Sequence, residues 1–164
     1  MKVQTPIPFR MLLDPGHFLA LGFGSGLFPR APGTAGTLAA IPVYYVAQMW
    51  GWGAYACLLL AFLIIGIGVC GRTADSLAVH DHPGIVWDEV VGFMITMLMV
   101  PAKPVLIVAG FVLFRLFDIW KPWPIRKLDR SVGGGLGIML DDVLAGIFAA
   151  VILQTLIATG MFAG

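Results

Sequence analysis

Five carboxylates stand at the ends of apolar segments in this chain: the pair Asp88 and Glu89, then Asp118, then the pair Asp141 and Asp142. Acids beside or inside membrane helices are costly, and they pair, bind a cation or serve function. Neighbouring residues on a helix point about 100° apart, so each pair aims at partners on two sides. Carboxylates drawn from three segments form an all-oxygen donor set. Such hard ligands favour Mg²⁺, Mn²⁺ or Ca²⁺ over zinc. No Cys/His spacing competes: Cys57 and Cys70 sit in one apolar segment and read as small apolar fillers. The plainer alternative is that the acids pair with Arg115, Lys121 or Arg126, or sit at helix N-termini, where a carboxylate is favourable. That serves for any one residue, but the five acids outnumber the nearby cations.

Cations accompany the acids. Arg115 and Asp118 are three apart and share one side of a helix, either as a simple ion pair or as a phosphate ligand beside a metal ligand. Lys121 precedes Pro122, which ends the helix and brings the ammonium out at a surface. Upstream, the run Arg30-Ala-Pro-Gly-Thr-Ala-Gly-Thr37 leads into an apolar segment. Gly33 and Gly36 permit close backbone approach, Thr34 is a candidate helix cap, and the N–H groups there suit an anion. It lacks the Gly-Lys-Ser/Thr of a nucleotide loop, and a plain membrane-entry turn also accounts for it. His80, Asp81 and His82 read as a solvated loop, and Gly133-Gly134-Gly135 as a tight connection. Asp-x-Asp and Cys-x5-Arg nucleophile patterns are missing, as is the Asp-x2-Asp-Gly-x2-Ala-Arg run of CDP-alcohol phosphotransferases.

The elements that must hold these side chains are membrane helices. Of 164 residues, 59% are hydrophobic and 12% charged, with mean hydropathy +0.93; soluble domains average about 25% charged. Net charge is +1, so no overall field argues for nucleic acid. Lys2 is followed by polar and proline residues, so no cleavable signal peptide is expected. Residues 1–29 read as an interfacial segment in which Pro6, Pro8 and Pro15 break any early helix. From 31 to 71 there is no Asp, Glu, Lys, Arg or His, which is room for two spans, 36–49 and 54–70, turning at Trp50–Gly53. A polar stretch, 71–87, reads as a loop. Segments 90–100 and 105–117 follow, short for crossings, tilted or re-entrant. A last span covers 139–162, with Asp141 and Asp142 in its first turn. The expected fold is an all-α polytopic bundle of about five membrane segments in one domain, 1–164. Five crossings put nine Lys and Arg on one face and Lys103 alone on the other, which assigns the charged face to the cytoplasm.

Three runs then accumulate: GSGLFPRAPGTAGTL (24–38), DHPGIVWDEVVGF (81–93) and FRLFDIWKPWPIRKLDRSVGGGLGIMLDDVLAG (114–146). In these runs, in this order, the chain resembles the bacterial phosphatidylglycerophosphatase A family. The resemblance implies an integral, all-helical, Mg²⁺-dependent lipid phosphatase of the inner membrane. It would convert phosphatidylglycerophosphate to phosphatidylglycerol and inorganic phosphate at the cytoplasmic face. On that reading Asp88, Glu89, Asp118, Asp141 and Asp142 hold the metal, with Asp142, Asp118 and Glu89 acting in the chemistry. Arg30, Thr34, Arg115 and Lys121 take the phosphate, and residues 126–130 hold the loop to anionic lipid. The competing class is a cation or proton transporter, since intramembrane carboxylates also mark ion paths; a lipid-binding structural subunit is the third.

Overall fold

The computed structural model describes residues 7–79, 82–129 and 131–162, and among them every regular element is helical. A 3-10 turn, Phe9–Leu13, leads into α1 (Pro15–Ala20), and a second, Gly22–Leu27, leads toward α2 (Pro32–Gln48). There follow α3 (Gly51–Leu77), α4 (Trp87–Thr96), α5 (Pro104–Trp120), the short α6 (Ile125–Asp129) and α7 (Gly134–Ala158).

Each of the five apolar segments is a helix, and the two expected turns fall at 49–50 and 97–103. The boundaries differ from the sequence expectation where local chemistry outweighs hydropathy. Pro15 does not break a helix but begins one. At the first helical position its missing N–H costs nothing, and Asp14 Oδ1 accepts from the N–H groups of Gly16 (2.9 Å) and His17 (3.2 Å). The supposed loop 71–87 is helical to Leu77, because Thr73, Ala74 and Leu77 turn inward while Arg72, Asp75 and Ser76 face out. The N-cap of α2 is Ala31, in the left-handed region (φ 53°), so Thr34 is not the cap but lies in the first turn. The start of α7 at Gly134 is earlier than the expected 139. A side chain at Gly135 would overlap the Ile67 carbonyl, so glycine lets α7 begin directly against α3.

Helix directions alternate. Gly33 lies beside Glu89 and Tyr44 bonds Val100, so α2 and α4 are parallel. Gly66 lies beside Met139 and Gly71 beside Gly135, so α3 opposes α7. Arg115 faces Glu89 and Gly110 faces Met97, so α5 opposes α4.

Among the described residues two helices, α3 and α7, are long and apolar enough to cross a membrane. The 17 residues of α2 and of α5 rise about 25 Å and the ten of α4 about 15 Å, against a hydrocarbon core of ~30 Å. Large apolar side chains cover the outside of the bundle: Leu60, Ile64, Val108, Val112 and Val151 are all more than half exposed. Soluble proteins rarely show apolar patches this continuous; together with the two long apolar helices, this marks a membrane-associated protein.

Candidate active site

The carboxylates are positioned by backbone packing. Two anchors fix the start of α4: Trp87 Nε1–H donates to the Phe62 carbonyl of α3 (3.1 Å), and Val86 N–H donates to the Ala20 carbonyl of α1 (2.9 Å). Gly22 and Gly36 close on Val86 so tightly that an added Cβ would stand 2.6 and 2.7 Å from its side chain. Further along, Gly92 of α4 and Gly146 of α7 let the two helices touch backbone to backbone. A Cβ on Gly92 would lie 2.7 Å from the Asp142 carbonyl oxygen. Small residues at such crossings are the usual means of close helix approach in membranes. The consequence is chemical, because this contact sets Asp142 against Asp88 and Glu89.

Asp88, Glu89 and Asp142 each offer a carboxylate oxygen, and the three oxygens lie within 4.8 Å of one another. Asp142 is 2% exposed. Arg115 Nη1 lies 2.5 Å from Asp118 Oδ2 and 3.8 Å from Glu89 Oε1. Lys121, the left-handed C-cap of α5 (φ 45°), pairs with Asp141. A cavity of about 340 Å³ opens onto these groups, walled also by Pro32, Gly33, Pro83 and Ile85. Glu89 Oε2 is buried and has no hydrogen-bond partner. Like charges this close, in a site withdrawn from water, need a cation or a shared proton to coexist. An oxygen-only set with a buried, undonated carboxylate oxygen suits a hard divalent ion.

Of the residues expected from the sequence, Asp88, Glu89, Asp118, Asp141, Asp142, Arg115 and Lys121 come together at this cavity. They divide into a triad of Asp88, Glu89 and Asp142, and two acids, Asp118 and Asp141, each held by a cation. Asp141 and Asp142 stand two turns into α7, not in its first turn, so the helix dipole, which fades beyond the first turn, does not account for them. Thr34 is half-buried and Arg30 exposed, and neither lines the cavity. His80, Asp81 and Arg130 lie outside the described residues. Pro83 and Ile85, which lie in the run 81–93 but carry no ionisable group to mark them, form part of the wall, as do Ala31, Pro32 and Ile119. Gly33 was noted for close approach, but its neighbour was not: a side chain there would overlap Glu89 Oε1.

The fold and site define a class of membrane-associated helical proteins in which buried carboxylates flanked by Arg and Lys offer donors for a cation and an anion in one cavity. The comparisons narrow the class. The profile described as phosphatidylglycerophosphatase A matches residues 18–157. Phosphatidylglycerophosphatase A of Escherichia coli K12 is 50% identical over 141 residues, covering 85% of this chain and 82% of its own. The Haemophilus influenzae protein of the same name is 42% identical over 155 residues, covering 93% and 95%. A Bacteroides thetaiotaomicron protein, named for phosphatidylinositol-3-phosphatase activity, is 38% identical over 146 residues, covering 82% and 89%. The chain belongs to the phosphatidylglycerophosphatase A family. No solved structure matches it.

Proposed function

We propose that this protein hydrolyses the phosphomonoester of phosphatidylglycerophosphate, giving phosphatidylglycerol and inorganic phosphate, with a divalent cation, Mg²⁺, as cofactor. The observation that carries the reading is the triad of oxygen ligands within 4.8 Å beside a buried guanidinium, in a chain half identical to a phosphatidylglycerophosphatase. Asp88, Glu89 and Asp142 would hold the ion, which when bound polarises the phosphoryl group and acidifies a water.

The chain's own groups do the rest. Arg115 presents its guanidinium to the phosphoryl oxygens, and Asp118, 2.5 Å away, keeps it there. Lys121 shares its charge between Asp141 and the entering phosphate, so phosphate binding loosens an ion pair already in place. A triad carboxylate, Asp142 in the first instance, takes a proton from the attacking water. Water oxygen bonds to phosphorus, the bond from phosphorus to the glycerol oxygen breaks, and the proton taken by the carboxylate passes to that oxygen as it leaves, which regenerates the carboxylate. Gly33 lines the cavity, and the neighbouring Arg30 and Thr34, which do not line it, would meet the phosphate on its way in.

The membrane reading extends the two long helices to five segments in the inner membrane. α2, α3, α5 and α7 cross with tilt, α4 enters from the charged face without crossing fully, and the site lies at the cytoplasmic interface. The alternation of helix direction supports this, as does Lys103 standing at the opposite end from the other described cations. A transporter gains nothing from the arrangement, since the carboxylates gather at one end of the bundle and do not line a path. Phosphate release from phosphatidylglycerophosphate in detergent micelles tests the reading. Release is expected with Mg²⁺ and lost in a chelator; release that a chelator leaves untouched refutes the metal, and none under either condition refutes the activity. Acid quenching with labelled substrate should leave no phosphate on the protein; an alkali-labile aspartyl adduct would replace water by a carboxylate as nucleophile.

A further inference from the structure

Two further cavities open at the end of α5, and each shares lining residues with the one that holds the carboxylates. The first, about 890 Å³, runs along the apolar flank of α5 past Val112, Leu116 and Ile119 to Arg115, Trp120 and Arg126. The second, about 620 Å³, lies among Trp120, Lys121, Trp123, Arg126 and Lys127. Arg115 and Ile119 are common to the flank and the catalytic cavity, Lys121 to the catalytic and basic cavities, and Arg126 to the flank and the basic cavity. Arg126 is exposed, and its Nη2 reaches the Trp120 carbonyl at 3.4 Å, which holds the guanidinium over the junction. Trp120 and Trp123 are 61% and 80% exposed, and exposed indoles settle at headgroup level in a membrane.

We propose that Arg126 is a specificity-determining residue that binds the phosphodiester of the lipid substrate while its terminal phosphomonoester enters the carboxylate site and an acyl chain lies on the α5 flank. The inference rests on the hydrolase reading above and adds a second anion site to it. Phosphatidylglycerophosphate needs three kinds of contact: a cation-rich pocket for the monoester, one positive charge a short polyol away for the diester, and an apolar path for the chain. The three neighbouring cavities offer one of each. The names of the relatives agree, since phosphatidylinositol 3-phosphate also carries a monoester on a polyol joined through a diester to diacylglycerol. A guanidinium matches a phosphate in charge and in hydrogen-bond geometry.

The two products separate the two anion sites, because phosphatidylglycerol keeps only the diester and inorganic phosphate resembles only the monoester. The full chain in neutral detergent micelles is compared with Arg126→Ala. The KM for phosphatidylglycerophosphate and the inhibition constant for phosphatidylglycerol should rise together by about tenfold, the size of one charge-assisted hydrogen bond. The kcat and the inhibition constant for inorganic phosphate should stay within about twofold, and Arg126→Lys should recover part of the loss. Unchanged KM and phosphatidylglycerol inhibition would overturn the proposal. So would equal weakening of both products, which marks a general surface charge. Binding of phosphatidylglycerol with brominated acyl chains, followed by quenching of tryptophan fluorescence, requires no turnover. Weaker binding by Arg126→Ala upholds the diester site even for a chain that releases no phosphate, in which case the hydrolase reading alone fails.

Discussion

The two ends of the bundle bury polar groups in opposite ways. At the end near residue 100 the groups are neutral and matched. Tyr44 Oη–H donates to the Val100 carbonyl (2.7 Å), Gln48 Nε2–H to the same oxygen (2.9 Å), Tyr55 Oη–H to the Met94 carbonyl (2.7 Å) and Gln154 Nε2–H to the Leu98 carbonyl (3.0 Å). Met94 is in the last turn of α4 and Leu98 and Val100 in the stretch that follows it, and side chains from three other helices close their carbonyls. At the other end the groups are charged and incompletely matched: three carboxylates converge beside one guanidinium, with Glu89 Oε2 lacking any donor. Polar burial that closes on itself stabilises a fold. Polar burial left open leaves groups that a ligand can satisfy, and on the proposed function those ligands are a cation and an anion side by side.

The comparison predicts that substitutions at the charged end cost activity and those at the neutral end cost stability. Asp142→Asn removes one ligand and the proposed proton acceptor, so phosphate release should fall by at least about 10³-fold, with helical content unchanged by circular dichroism. Activity within tenfold of wild type would remove Asp142 from the chemistry. Next is Gly33→Ala: the added methyl must push Glu89 aside, and a displacement near 1 Å costs about 10²-fold in rate. A smaller loss in Gly33→Ala than in Thr34→Ala would mean that the crowding at Gly33 is relieved without moving Glu89. At the neutral end, Tyr55→Phe leaves the Met94 carbonyl buried without its donor. It should destabilise the protein by about 1–3 kcal/mol, read by thermal unfolding in detergent, with kcat unchanged. Loss of activity without loss of stability there would blur the division between the ends.

The smallest effect lies outside the carboxylate cavity. The N–H groups of His17 and Gly16 and the guanidinium of Arg72 hold the Asp14 carboxyl below the usual carboxylate range, against the opposing effect of desolvation. A depressed folded value means that the contribution is present above the unfolded value, near 4, and is lost as pH falls through the folded one. The difference in unfolding temperature between wild type and Asp14→Ala should therefore shrink below about pH 4. A difference that persists undiminished would place the effect elsewhere.

How far the sequence reveals this division depends on the interaction. The five helices were legible because hydropathy and the turn residues at Trp50–Gly53 and Pro101–Pro104 act locally. The carboxylates were legible because charge is rare in so apolar a chain. Helix starts were less so: α7 starts at Gly134, directly against α3, where Ile67, far away in the chain, leaves room only for glycine at 135. The division of five acids into a triad and two ion pairs depends on where Gly92 and Gly146 let α4 meet α7. The neutral end was invisible, since Tyr44, Gln48, Tyr55 and Gln154 look like ordinary residues of apolar helices until their distant carbonyls are known.

The central proposal is that the carboxylate triad at the charged end binds a divalent cation, and ligand-linked stability tests it without substrate. An ion that binds only the folded chain raises its unfolding temperature in proportion to the logarithm of its concentration. Thermal unfolding of the detergent-solubilised protein, from chelator to millimolar Mg²⁺, should show that rise in the wild type and none in Asp142→Asn. The same rise in both proteins, or none in the wild type, would contradict the account.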